Sequence, residues 1–117
     1  MKLRIILIFG CLLFISNLHA QWALDTNGIG NIGERSLAVS GNNIFTGTFS
    51  SGVYLSTNNG TSWQQTSLNN QFVFSLAVSG SNVYAGTYGN GVYLSTNNGL
   101  TWSQTSLINQ YVVSLAV

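Results

Sequence analysis

The side chains that most often carry enzyme chemistry are rare in this sequence and lie near its start. The carboxylates are Asp25 and Glu34, with Arg35 beside them, and the single histidine and single cysteine are His19 and Cys11. Residues 36–117 contain no Asp, Glu, Lys, Arg or His. Glycosidases generally use a pair of carboxylates, and a nucleophilic hydroxyl needs a base to activate it. The sequence therefore predicts no catalytic residues and a protein that is not an enzyme.

The same scarcity limits the ligands that the chain is expected to bind. The usual zinc sites need cysteine and histidine, calcium sites need acidic oxygens, and nucleic acid needs a basic patch. The glycines of "GIGNIG", Gly28–Gly33, are spaced like those of a nucleotide-binding loop, but no parallel strand pattern precedes them and no helix pattern follows. We therefore predict no metal, no cofactor and no nucleic-acid partner.

Residues 1–20 have the pattern of a secretory signal peptide. Lys2 and Arg4 form a short basic region, Ile5–Ile15 is a continuous apolar run, and Ala20 is a small residue suited to cleavage after it. The apolar run is shorter than the about 20 residues that a transmembrane helix needs. The pattern predicts an exported protein that is secreted or lies at the cell surface, with no membrane span after cleavage.

Two alternatives to a cleaved signal remain open at this stage. One is an uncleaved membrane anchor formed by the same apolar run. The other is a lipid anchor at Cys11, because "IFGC" ends in the Gly-Cys pair of a bacterial lipoprotein signal, although Phe9 is bulky where a small residue is usual. Cleavage after Ala20 would leave a chain without cysteine or histidine, and so without disulfides.

The most informative feature of the chain is an internal repeat. Residues 36–74 align with residues 75–113 without a gap, and 26 of the 39 aligned positions are identical. A third copy begins with "SLAV" at residues 114–117, and residues 21–35 resemble the tail of an earlier copy, with Trp22 in the place of the repeat tryptophan. We predict five segments: the signal, a partial repeat, two full repeats and a truncated repeat.

Each full repeat contains four strand-like runs separated by turn-forming residues. In the second repeat these runs are Phe72–Val78, Asn82–Tyr88, Gly91–Thr96 and Leu100–Ser106. Their apolar and aromatic residues favour strands, and the intervening Ser, Gly and Asn favour tight turns. Four short antiparallel strands in about 40 residues match one blade of a β-propeller. The predicted fold is all-β: a partial β-propeller with two complete four-stranded blades of 39 residues and partial blades at both ends. A β-solenoid, whose coils are usually shorter, is the alternative.

One polar octet occurs in both repeats, as "STNNGTSW" in Ser56–Trp63 and "STNNGLTW" in Ser95–Trp102. Its place in the repeat predicts the hairpin between the third and fourth strands. Asn and Gly adopt left-handed conformations at low cost, and the serine hydroxyls can bond within the turn. The tryptophan that follows is expected to place its ring beneath the hairpin. From these residues the octet is either a scaffold element or a binding site that is used twice.

The octet resembles the Asp-box, or bacterial neuraminidase repeat, with the pattern Ser-x-Asp-x-Gly-x-Thr/Ser-Trp. The matching residues are Ser56, Asn58, Gly60, Ser62 and Trp63 in the first octet and Ser95, Asn97, Gly99, Thr101 and Trp102 in the second. The flanking residues from about Trp22 onward are similar to propeller repeats of secreted Bacteroidetes-type proteins and of photosystem II assembly factor-like, sortilin/sialidase-type domains. Asn58 and Asn97 replace the eponymous Asp and lack its charge. The resemblance implies that the octet is structural and lies away from any catalytic centre.

These observations lead to one predicted function and one alternative. The predicted function is a non-catalytic, secreted β-propeller repeat scaffold, a fragment of a larger exported bacterial protein that binds a protein or glycan ligand. Its other expected partners are further blades of the same protein or other copies of this chain. The alternative is the N-terminal part of a sialidase-like glycoside hydrolase whose catalytic residues lie beyond residue 117.

Overall fold

The computed structural model of the chain describes residues 33–117. The predicted signal peptide and its anchors, the partial repeat at Trp22 and the carboxylate of Asp25 lie outside the described residues. The described part of the chain is all-β, which confirms the predicted class, and it has no helix of the length and apolarity required to cross a membrane. Its strands are β1 (Glu34–Ser40), β2 (Asn43–Thr48), β3 (Val53–Ser56), β4 (Gln64–Gln65), β5 (Val73–Ser79), β6 (Asn82–Thr87), β7 (Val92–Ser95) and β8 (Ser103–Gln104).

The strands form two four-stranded antiparallel sheets in chain order. The first sheet is β1-β2-β3-β4 and the second sheet is β5-β6-β7-β8, so the prediction of four strands in each repeat is confirmed. Residues 33–117 do not form a closed ring of sheets. The fourth strands are much shorter than the predicted run, because regular pairing ends after Gln104. Thr105 still donates its backbone N–H to the carbonyl of Val92, but Val92 donates its own N–H to the carbonyl of Leu107 and not to that of Thr105.

Two-residue turns join the first and second strands of each sheet. Ser40 pairs with Asn43, which leaves Gly41 and Asn42 as the turn. Gly41 has a φ of 61°, and Gly80 has the same φ at the equivalent turn of the second sheet. A positive φ at the first central residue only is typical of a type II′ turn, whose twist matches that of the strands it joins. These glycines set the register of each sheet from its first hairpin.

Strand register places alternate side chains on opposite faces of each sheet. In the second sheet Leu76 pairs with Ala85 and Val78 with Val83, so these four side chains share one face. We call this the leading face of the sheet, because it packs against the preceding sheet, and we call the opposite side the trailing face. In the first sheet the leading face carries Leu37, which pairs with Thr46, and Val39, which pairs with Ile44.

The hydrophobic core lies between the trailing face of the first sheet and the leading face of the second. The sheets meet along β1, β2 and β5. At Gly47 the Val73 side chain of the second sheet is so close that an added Cβ would lie 2.5 Å from its Cγ1, so this position favours glycine. The buried apolar residues of the core are Phe45, Val53, Leu68, Val73, Leu76, Val83 and Ala85. Ala38, Leu55, Val78, Tyr93 and Trp102 are partly buried around them.

The end of the second repeat packs on the second sheet in the same way. Tyr111 forms an isolated bridge with Tyr88, and Val112 donates its backbone N–H to the carbonyl of Thr87 at 2.9 Å. An added Cβ at Gly86 would lie 2.7 Å from Cγ1 of Val112. The last residues of each full repeat therefore lie on the trailing face of that repeat's own sheet, as Val73 does at Gly47 and Val112 does at Gly86.

Candidate functional site

Both octets lie between the third and fourth strands of their sheets. The first octet, Ser56–Trp63, begins at the last residue of β3 and ends directly before β4, and the second octet, Ser95–Trp102, occupies the same place between β7 and β8. The chain reverses where the second Asn and the Gly of each octet adopt positive φ. These angles are 58° at Asn59, 86° at Gly60, 59° at Asn98 and 84° at Gly99. Asn and Gly are the residues that enter this region at the lowest cost, which explains the Asn-Gly pair.

The polar side chains of the first octet are bonded to one another. The Ser56 hydroxyl donates to Oδ1 of Asn58 at 2.9 Å and accepts the backbone N–H of Gly60 at 2.7 Å. Oδ1 of Asn58 also accepts the backbone N–H of Ser62 at 2.9 Å, and its Nδ2 donates to the Ser62 hydroxyl at 2.9 Å. The side chains thus satisfy the backbone N–H groups that the turn leaves without strand partners.

The second octet repeats this network atom by atom. The Ser95 hydroxyl donates to Oδ1 of Asn97 at 2.8 Å and accepts the backbone N–H of Gly99 at 2.8 Å. Oδ1 of Asn97 accepts the backbone N–H of Thr101 at 2.9 Å, and its Nδ2 donates to the Thr101 hydroxyl at 2.8 Å. Because Ser95 is fully buried, its hydroxyl is available only to these internal partners.

The amide nitrogen of the asparagine has a use that the sequence did not reveal. In the structure Nδ2 of Asn58 and of Asn97 is the donor to the following hydroxyl. A hydroxyl can both donate and accept, so the Ser62 or Thr101 hydroxyl could donate to an Asp carboxylate in place of accepting from the Asn amide. Either Asn or Asp can therefore complete the hydrogen-bond network of the octet.

The tryptophans that end the octets are both half-buried. Trp102 packs against the core and donates its ring N–H to the carbonyl of Gly99 at 3.1 Å. The ring of Trp63 lies beside Gly60, with Cζ2 3.8 Å from the place where a Cβ of that glycine would stand. Each ring supports its own hairpin from the flank, and the Trp102 ring also borders the space between the sheets.

The second octet has a further contact that its sequence does not predict. A Cβ added to Gly99 would lie 2.7 Å from Cε1 of Phe45, a fully buried residue of the first sheet. The corresponding Gly60 has its nearest neighbours at 3.8 Å. Two nearly identical octets thus have different surroundings, because among residues 33–117 only the second is covered by another sheet.

A row of exposed aromatic side chains crosses both sheets at one end. We define this aromatic row as Phe49, Phe72, Tyr88 and Tyr111, which are 36–64% exposed. The ring centroids of Phe49 and Phe72 are 4.5 Å apart, those of Phe72 and Tyr88 are 6.1 Å apart, and those of Tyr88 and Tyr111 are 4.5 Å apart. The guanidinium carbon of Arg35 lies 5.2 Å from the centroid of Phe49, within cation–π distance.

The repeat length explains why these rings meet, although sequence reasoning missed them. Phe49 and Tyr88 both follow the second strand of their sheets, 39 residues apart, and Phe72 and Tyr111 are also separated by 39 residues. Each of two repeat positions therefore supplies two rings, Phe49 and Tyr88 from one and Phe72 and Tyr111 from the other. The packing of consecutive sheets places the rings from the two positions alternately along the row. A search for aromatic residues that recur at the repeat spacing would have found all four.

Neutral hydrogen-bonding groups lie next to the aromatic row. Gln71 directly precedes Phe72, and its Oε1 accepts a bond from Nδ2 of Asn90 at 2.7 Å. The backbone carbonyl of Asn90 accepts a bond from Nε2 of Gln104 at 2.7 Å. Exposed rings beside amides can bind a ligand through apolar contact and neutral hydrogen bonds.

The remaining charged groups near the row are Glu34 and Arg35, both exposed at the start of β1. Within residues 33–117 no three side chains among His, Cys, Asp and Glu cluster to form a metal site. The geometry therefore favours two features: a pair of internally bonded octets and one exposed aromatic row. Comparison of the chain with family models, with curated proteins and with solved structures found no significant match.

Proposed function

We propose that this protein is a non-catalytic, secreted repeat scaffold whose sheets are blades of a β-propeller-type array and whose exposed aromatic row binds a protein or glycan ligand. The observation that carries the scaffold role is the closed hydrogen-bond network of the octets. Ser56 and Ser95 are buried, and their hydroxyls bond to partners inside the same octet. Because the polar groups of the octet are hydrogen-bonded to one another, few of them remain available to bind a ligand. This favours the structural role of an Asp-box-type hairpin.

The propeller architecture is supported over the solenoid by the way in which strands pair. In a propeller each repeat supplies one whole sheet. Here β1 to β4 pair with one another, and β5 to β8 do the same. Consecutive sheets then pack face to face, with their closest approach along β1, β2 and β5. Glycines such as Gly47 permit this approach.

The binding role is assigned to the aromatic row because it is the exposed apolar feature that spans both repeats. Its rings stay 36–64% exposed although the core lies close by. Contiguous exposed apolar groups bordered by polar ones are typical of ligand-binding surfaces. Since residues 36–117 carry no charged side chain, the expected ligand is recognised through ring contacts and neutral hydrogen bonds.

The ligand proposal is tested by binding to immobilised neutral polysaccharides and to extracellular proteins. We expect a Tyr88→Ser/Tyr111→Ser double variant to lose about tenfold or more in affinity, equivalent to about 1.4 kcal/mol. Leu100→Ser is the matched control, because Leu100 is also exposed but lies in the second octet. Circular dichroism confirms that each variant is folded.

The opposite result, in which Leu100→Ser weakens binding and the double variant does not, would assign the ligand to the octet. Release of reducing sugar from any bound polysaccharide would favour the hydrolase alternative. Retained binding in both variants would contradict the aromatic row as the binding surface.

The secreted location has its own test. If residues 1–20 are a signal peptide, N-terminal sequencing of the exported protein begins at Gln21 or within a few residues of it. Export with an intact Met1 would contradict cleavage. Recovery of the protein from the membrane in a Cys11-dependent form would favour the lipid anchor.

A further inference from the structure

The first strands of the two leading faces carry the same residues at equivalent positions but differ in exposure. Leu76 is 8% exposed, whereas the equivalent Leu37 of the first sheet is 64% exposed. Val78 is half-buried against the core, whereas the equivalent Val39 is 63% exposed. The first sheet therefore presents to solvent two apolar side chains whose equivalents the second sheet buries, although Thr46 on the same face is 0% exposed.

The structure also shows what covers such a face. The leading face of the second sheet is covered by the trailing face of the first, where Phe45 is fully buried and Leu55 is partly buried. The residues at the same positions on the trailing face of the second sheet are Tyr84 and Leu94, and both are half-exposed. The described chain thus has the two halves of one interface on opposite sides.

We propose that the leading face of the first sheet docks a second copy of this chain, through the trailing face of that copy's second sheet. The docked pair repeats the contact seen between the two sheets, with Tyr84 and Leu94 in the places of Phe45 and Leu55. Such a contact joins two different surfaces, so it continues from copy to copy until a ring closes or a filament forms. The inference rests on the scaffold part of the proposed function and not on its ligand.

The end of the second repeat and the residues that follow it take part in this docking. Val112 and Tyr111 now lie on the trailing face of the second sheet, at the place that β1 of the second copy would occupy. Residues 114–117 and residues 36–39 both read Ser-Leu-Ala-Val. The β1 strand of the second copy therefore displaces the end of this chain from the trailing face and occupies the same place, as in the exchange of identical elements between protomers.

Sedimentation velocity of the purified chain over a range of concentrations tests the proposal. We expect wild-type protein to associate with rising concentration, and Leu37→Asp on the leading face or Leu94→Asp on the trailing face to weaken association at least tenfold. Leu100→Asp is the control, since it places the same charge at an exposed leucine outside both faces. Tyr84→Lys replaces Leu94→Asp if the latter does not fold.

Mixing the two face variants provides the sharper test. Leu37→Asp keeps an intact trailing face and Leu94→Asp keeps an intact leading face, so an equimolar mixture should form a dimer and nothing larger. A wild-type chain that stays monomeric at all concentrations overturns the inference, and so does association that Leu37→Asp leaves unchanged. Ligand binding is measured separately on Leu37→Asp, so a failure of docking can be told apart from a failure of the proposed ligand site.

Discussion

The two repeats have nearly the same local structure and very different surroundings. Their octets form the same hydrogen bonds, with the Gly60 N–H 2.7 Å from the Ser56 hydroxyl and the Gly99 N–H 2.8 Å from the Ser95 hydroxyl. Yet a Cβ at Gly99 would lie 2.7 Å from the ring of Phe45, whereas a Cβ at Gly60 would meet its nearest neighbours at 3.8 Å, an ordinary contact distance. The difference teaches that the turn is a local property of the octet, whereas its burial depends on whether a sheet precedes it. Paired substitutions at equivalent positions of the two repeats measure separately how much the local turn and the packing between sheets contribute to stability.

The largest difference is expected at the tryptophans. Trp102→Ala should lower the free energy of unfolding by about 3–5 kcal/mol, because its ring packs against the core and bonds to Gly99. Trp63→Ala should cost clearly less, since the face beside it has no preceding sheet among the described residues. Chemical denaturation of both variants checks this order. Equal costs would show that the ring stabilises only its own hairpin.

A comparable contrast is expected at the leading-face leucines. Leu76→Ala should cost about 2–5 kcal/mol, because it leaves a cavity between the sheets. Leu37→Ala should change stability by no more than about 0.5 kcal/mol, as is usual for exposed positions. Both are measured by urea denaturation at a protein concentration too low for association. A large loss in Leu37→Ala under those conditions would mean that the leading face of the first sheet is already covered within one chain.

Substitution of the octet glycines by alanine distinguishes the effect of backbone strain on stability from the effect of packing. Gly60 and Gly99 have similar positive φ, so Ala adds similar strain at both. Only at Gly99 does the new methyl meet the Phe45 ring, and overpacking of this kind costs about 1–3 kcal/mol. We therefore expect Gly99→Ala to be less stable than Gly60→Ala by about that amount, as measured by thermal unfolding. The combination Gly99→Ala/Phe45→Leu should reduce the difference, and its persistence would contradict a clash with the ring.

The smallest effects are expected when the family residue is restored. Asn58→Asp and Asn97→Asp keep the acceptor oxygen, and the Ser62 or Thr101 hydroxyl can turn to donate to the carboxylate. Stability should change by less than about 1 kcal/mol, with a gain favoured because charge-assisted bonds are stronger. Asn58→Ala is the control, since it removes both acceptor and donor and should destabilise. A loss in Asn58→Asp as large as in Asn58→Ala would show that the amide N–H is essential.

Several features of the candidate sites were predictable because they are local. The Asn-Gly pairs of the octets predicted left-handed turn residues, and the structure has positive φ at those positions. The donor role of the Asn58 amide was not predictable, because either Asn or Asp would fill the position. The approach of Phe45 to Gly99 was not predictable either, since the two residues lie in different repeats and meet only when the sheets pack.

The sequence by itself determined the repeat, the four strands of each sheet and the turns between them. These follow from alternation of side chains along the strands and from glycine and asparagine at positions that require positive φ, both of which act within a few residues. Only the tertiary structure decided which copy of the repeated Ser-Leu-Ala-Val-Ser segment buries its leucine, as Leu37 and Leu76 show. It also assembled the aromatic row, because the rings of Phe49 and Phe72 become neighbours when the second sheet packs on the first. The burial of a side chain depends on what packs opposite it in the folded chain. A repeated sequence is the same in both copies, so it cannot indicate which copy is covered.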